Sequence, residues 1–176
     1  MNSLFLCLAA MSLNLHNSHI ICENADIIME NSLRYDIPPE LIVAVGRVES
    51  RWTPSAKSHG NACGVMQVIP KYTKNPKRSC KELKIPEIGI QVGTKKLKYW
   101  IYQYGKRNKT TGLCGYNAGF RCKGKNKNKA GLNYAKSVLE WEKRFKKALN
   151  REKKKYADKN VFNYLLSLVK DIGDYK

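Results

Sequence analysis

Glu49 is the residue of this 176-residue chain whose type and setting are best suited to chemistry. It follows Leu41-Ile42-Val43-Ala44-Val45-Gly46-Arg47-Val48, a run apolar almost all round that reads as a core helix, and the helix must stop before Pro54. A carboxyl in the last turn of such a helix is pushed toward its neutral form by burial and by the negative end of the helix dipole. A carboxylic acid still protonated near neutral pH is the group that protonates the leaving oxygen when a glycosidic bond is cut. Arg47 and Arg51 would oppose the shift if they turned inward.

A second carboxylate would normally share this work, yet no Asp or Glu lies between Glu49 and Glu82, or between Glu87 and Glu140. A site with one acid disfavours a carboxylate nucleophile and favours a substrate that supplies its own.

Three separated pieces give Glu49 its context: Arg47-Val48-Glu49-Ser50-Arg51-Trp52-Thr53-Pro54-Ser55-Ala56, Gly64-Val65-Met66-Gln67-Val68-Ile69-Pro70, and Gly115-Tyr116-Asn117-Ala118-Gly119. Singly they read as easily as a turn or a helix C-cap with a packed aromatic. In this order and spacing they resemble the lytic transglycosylase family, whose lysozyme-like fold is related to goose-type lysozymes. The resemblance covers roughly residues 23–141.

It implies that Glu49 is the sole catalytic acid and base, acting on the bond between N-acetylmuramic acid and N-acetylglucosamine. The muramoyl C6 hydroxyl would attack C1, leaving a 1,6-anhydromuramoyl product. It also implies that Ser50, Gln67, Tyr116 and Asn117 line the groove, with Met66 and Trp52 as apolar support. Many relatives carry a Glu-Thr pair four residues before a tyrosine like Tyr134; here those places hold Ala130 and Gly131, so Tyr134 joins the substrate-binding set on the tyrosine alone. Cys63 and Cys114 stand where relatives usually have small, alanine-like residues. No cofactor and no metal is implied.

The elements that must position these groups follow from periodicity and punctuation. Ile27, Ile28, Met29 and Leu33 suit a short amphipathic helix over 26–35, and Pro38, Pro39 and Glu40 start the helix that carries Glu49. Residues 53–80 read as loops with a small hairpin. Helical periodicity returns from Ile88 to Tyr104, ending at Gly105, and again over Leu113–Ala118 before Gly119. Val138, Trp141, Phe145 and Leu149 mark one stripe of a long helix after the basic loop Arg121–Lys129, and Val161–Ile172 suits a last helix. The expected fold is α+β, mainly α: one lysozyme-like domain over 23–141 with a basic, helical C-terminal extension over 142–176.

Lys and Arg number 33 against 14 Asp and Glu, a net charge of +19, and all but three of the basic residues follow Ala56. Such a field suits a polyanionic partner. Helix-turn-helix, zinc-finger and RNA-binding-sheet signatures are missing, which leaves only non-specific, salt-sensitive contact with nucleic acid. Peptidoglycan glycan strands are the expected partner, with a larger virion or secretion assembly reached through the C-terminal helices.

Residues 1–22 carry no charged side chain, and the apolar stretch Leu4–Leu15 is too short to span a bilayer as a transmembrane anchor. It fits a signal-peptide core, giving an exported or virion-associated protein, or else an N-terminal helix that packs or frays. His16, His19 and His59 lack zinc-like spacing with the six cysteines. With Cys7 and Cys22 set aside, Cys63, Cys80, Cys114 and Cys122 allow three disulfide connectivities; 63–80 with 114–122 closes the shortest loops, and reduced buried thiols stay open as the alternative.

Overall fold

The computed structural model describes residues 3–124 and 128–157. Eight α-helices are found among them: α1 Ser3–Ser12, α2 Ser18–Glu23, α3 Ala25–Tyr35, α4 Pro39–Ser50, α5 Cys80–Leu83, α6 Pro86–Lys98, α7 Lys109–Ala118 and α8 Lys129–Lys155. α6 runs on as a π-helical segment, Tyr99–Tyr104. The expected segment Val161–Ile172 lies outside the described residues, as does part of the basic loop.

α4 is the axis of the packing, for the reason its sequence gives. Leu41 to Val45 are at most 1% exposed, so every face of this stretch meets protein and its burial drives the fold around it. Pro39 sits in its first turn, where no backbone N–H is needed, and Arg51 ends it in the left-handed conformation at φ 54°. α8 lies along both α4 and α7 and presents Ala135, Val138, Phe145 and Leu149 inward. α3 packs on α6 and on α4.

Gly131 explains how α8 comes so close to α7. A Cβ there would stand 2.7 Å from Cys114 Sγ and 2.9 Å from Ala118 Cβ, so a glycine is required at this crossing. The residue that departs from the family's pattern is therefore a packing solution matched to a cysteine on the facing helix.

The mainly helical expectation describes the molecule, but its α+β part does not. Among the described residues the 53–80 region holds only two isolated bridges, Lys57 with Cys63 and Cys63 with Val68, rather than paired strands. Its Pro and Gly content and the three-residue 3₁₀ turn at Pro70–Tyr72 leave no room for a ladder. Three disulfides tie the loops down: Cys7–Cys22, Cys63–Cys80 and Cys114–Cys122. The first joins α1 to α2, and α1 packs against α8 with Leu6, Ala9 and Ala10 fully buried.

Candidate active site

Glu49 sits in the last turn of α4, and the chain after it folds back sharply. Trp52 follows at φ 60°, is fully buried, and donates from Nε1 to Val43 O at 3.1 Å. It lies over Gly46, where a Cβ would stand 2.7 Å from the indole. Trp52 thus clamps the last turns of the helix from beneath and fixes where Glu49 emerges.

α8 supplies the partner. Tyr134 Oη donates a 2.6 Å hydrogen bond to Glu49 Oε1. Burial raises the Glu49 pKa to about 7, and the Tyr134 bond, which favours the carboxylate, pulls against that rise. Among the described residues neither a second carboxylate nor a cation enters this balance. Arg47 lies over the Trp141 ring at 4.8 Å, on α8, and Arg51 is exposed, so the two arginines leave the acid's proton in place.

Tyr116 on α7 donates to Met66 O at 2.8 Å and feels the charge of Glu49. Burial, then the nearby Glu49, holds the Tyr116 and Tyr134 phenols well above their usual range, so both remain neutral donors. Glu49, Tyr116 and Tyr134, brought by three different helices, form the centre of the site.

The loop following α4 builds the remaining wall. Ser50 Oγ donates to Val65 O at 2.9 Å and accepts from Thr53 N at 3.2 Å, joining the end of α4 to the Gly64–Gln67 turn. Gln67, at φ 46°, spends its amide N–H on Gly64 O at 3.0 Å, which leaves its side-chain carbonyl oxygen as an acceptor. Met66 is fully buried and its backbone carbonyl, not its thioether, serves Tyr116. Asn117 is exposed on α7, and its side chain makes no hydrogen bond among the described residues. Cys63–Cys80 and Cys114–Cys122 brace the turn and α7 from outside the site.

One contact was not signalled by any motif. Asn17 Nδ2, in the α1–α2 region, donates to Arg51 O at 3.3 Å and to Thr53 Oγ1 at 3.2 Å. Nothing in the local sequence sets this asparagine apart. Among the described residues no cluster of three or more His, Cys, Asp or Glu could hold a metal ion.

Chemically, the site holds one acid whose pKa of about 7 leaves it shared between its protonated and ionised forms at neutral pH, two neutral phenols and a set of amide and hydroxyl groups. Such a site can donate a proton to a leaving oxygen and take one back. Among the described residues no second carboxylate is placed to act as nucleophile.

The chain is similar to known proteins over this region. The model of the Transglycosylase SLT domain matches residues 26–138. The chain is 34% identical over 92 residues to the soluble lytic murein transglycosylase of Escherichia coli strain K12, covering 48% of this chain and 14% of that protein. It is 35% identical over 83 residues to the membrane-bound lytic murein transglycosylase E of Buchnera aphidicola, covering 42% of this chain and 38% of that one. Among solved structures, the 70 kDa soluble lytic transglycosylase from Escherichia coli superposes with a TM-score of 0.58 at 26% identity, over 68% of this chain and 23% of that chain. The chain thus corresponds to a minor part of the longer relatives, and its matched span carries Glu49, Tyr116 and Tyr134 together. It belongs to the transglycosylase SLT domain family.

Proposed function

We propose that this protein is a peptidoglycan lytic transglycosylase in which Glu49 is the only acid–base group. The observation that carries the reading is Glu49 itself: a desolvated carboxyl with a pKa of about 7, held by a neutral phenol and, among the described residues, without a second carboxylate beside it. In the first step Glu49 gives its proton to the oxygen bridging C1 of N-acetylmuramic acid and C4 of N-acetylglucosamine, and the C1–O bond breaks. In the second step the muramoyl C6 oxygen bonds to C1 while its proton passes to the Glu49 carboxylate. The acid is restored, a 1,6-anhydro ring closes and no water is consumed.

A pKa near 7 serves both halves of this cycle, since the group must be an acid in one step and a base in the next. Tyr134, by holding one carboxylate oxygen, fixes the acid's orientation. Tyr116, Gln67, Ser50 and Asn117 are the groups assigned to the sugar and its N-acetyl arm. The +19 chain would be held to an anionic wall by a field that salt weakens. Three disulfides suit an oxidising compartment outside the cytoplasm, or a virion. Among the described residues no helix is long and apolar enough to cross a membrane. Local wall opening, for phage entry or lysis or for assembling a secretion machine, is the role we assign to the activity.

Mass spectrometry of the soluble products tests the reaction. Incubation with isolated peptidoglycan should release anhydro-terminated muropeptides from the parent and none from Glu49→Gln. Reducing-end products, heavier by one water, would make the enzyme a hydrolytic muramidase of the goose-lysozyme kind. No products from a folded parent would point to a binding or scaffold protein.

A further inference from the structure

The segment 3–23 is built into the fold immediately behind the Glu49 turn. α1 lies on α8, the helix that supplies Tyr134. Leu15, in the connection to α2, is 5% exposed, and Cys7–Cys22 joins the two helices across that connection. Asn17 therefore leaves a doubly anchored hairpin, and its backbone is left-handed at φ 58°.

From this position its amide donates to Arg51 O and Thr53 Oγ1, two and four residues beyond Glu49. The turn it reaches holds Arg51 at φ 54° and Trp52 at φ 60°, two consecutive non-glycine residues in the left-handed region. Among the described residues, the other hydrogen bonds of this turn come from within residues 43–65. Asn17 supplies the tether from a separate part of the chain. A helix end whose following turn is released unwinds first, and Glu49 is in that last turn.

We propose that Asn17 is a positioning residue for Glu49, acting through the Arg51–Thr53 turn, and that residues 3–23 stay with the enzyme as part of its catalytic domain. The inference rests on the reading of Glu49 as the acid. Asn17 touches no reacting atom. Its amide keeps the last turn of α4 closed, which keeps the carboxyl at its distance from Tyr134 and desolvated. A displacement of about 1 Å at a reacting group can cost about 10²-fold in rate, so a weak tether at this place matters more to turnover than to stability.

Asn17→Gly in the full chain tests this, because glycine keeps the left-handed backbone and removes only the amide. Asn14→Gly is the matched control, since Asn14 is exposed in the same connection at φ 48°. Release of anhydro muropeptides, followed across pH, should show kcat lowered about 5- to 50-fold in Asn17→Gly with KM changed less than about twofold. Its alkaline limb should move to lower pH, because a loosened Glu49 is better solvated. Asn14→Gly should match the parent. Thr53→Val, which removes the accepting hydroxyl, should change kcat in the same direction and combine with Asn17→Gly non-additively; it carries the test should Asn17→Gly not fold. An active parent whose kcat and pH profile are untouched by Asn17→Gly overturns the proposal. So does a fully active mature chain that starts after Asn17, read from the intact mass of the exported protein. A folded parent with no activity on peptidoglycan overturns the reading of Glu49 and this inference with it.

Discussion

Tyr134 Oη and Glu49 Oε1, 85 residues apart in sequence, meet in a 2.6 Å hydrogen bond that joins α8 to the end of α4. The bond opposes the burial that raises the Glu49 pKa, so this tyrosine tunes the acid as well as orienting it. Removing the hydroxyl as Tyr134→Phe should raise the Glu49 pKa above about 7 and move the alkaline limb of the pH–rate profile to higher pH. We expect kcat to fall about 10- to 100-fold near neutrality, because the acid loses its orienting partner. The pH profile of muropeptide release checks both the direction and the size.

Glu49→Gln removes the proton that the proposed cycle passes back and forth. Turnover should fall about 10²- to 10⁴-fold, the range assigned to a general acid, while binding to insoluble peptidoglycan is kept. Co-sedimentation beside the product assay separates the two effects.

The same substitution carries a stability signature. Glu49 in the native protein keeps its proton up to about pH 7, whereas in the unfolded chain it loses it near the ordinary carboxylate value. Between those values the native state binds more protons than the unfolded state, so stability falls as pH rises through the window. The loss is at most about 3–4 kcal/mol, and less to the extent that solvent reaches the half-buried side chain. Glu49→Gln lacks this titration. Its Tm should exceed the parent's by several degrees at about pH 8, with a smaller difference at about pH 5. Differential scanning calorimetry at the two pH values makes the comparison.

Gly131→Ala places a methyl group 2.7 Å from Cys114 Sγ and 2.9 Å from Ala118 Cβ. The facing helices must separate or the cystine must shift, at a cost of about 1–3 kcal/mol. Because α8 also carries Tyr134, activity should fall together with Tm. Chemical denaturation of the alanine variant, with the rate measured on the same preparation, checks both.

The interaction of this basic chain with the wall should depend on salt, since exposed charges a Debye length apart are screened. Binding to isolated peptidoglycan is expected to weaken steadily as salt rises from about 50 to about 500 mM. A salt-independent isotherm would remove the electrostatic account.

Much of the helical scaffold was legible in residue patterns, because helix starts, stops and apolar stripes are local. Pro39, Gly105, Gly119 and the Val138–Leu149 stripe bound or face the helices observed. The buried setting of Glu49 and its raised pKa were legible too, since they follow from a helix that is apolar almost all round. Tertiary structure decided what depends on distance through space: that Tyr134, reached by no complete motif, is the acid's direct partner; that Arg47 lies on Trp141 and so leaves the acid's proton in place; that the expected hairpin is two isolated bridges. Residues 3–23 are the case where the sequence alone says least. An apolar run of that length looks the same in sequence whether it is an export signal or a packed helix, and our proposal that it belongs to the domain rests on distances through space: the burial of Leu6 and Leu15 and the reach of Asn17 to the Glu49 turn.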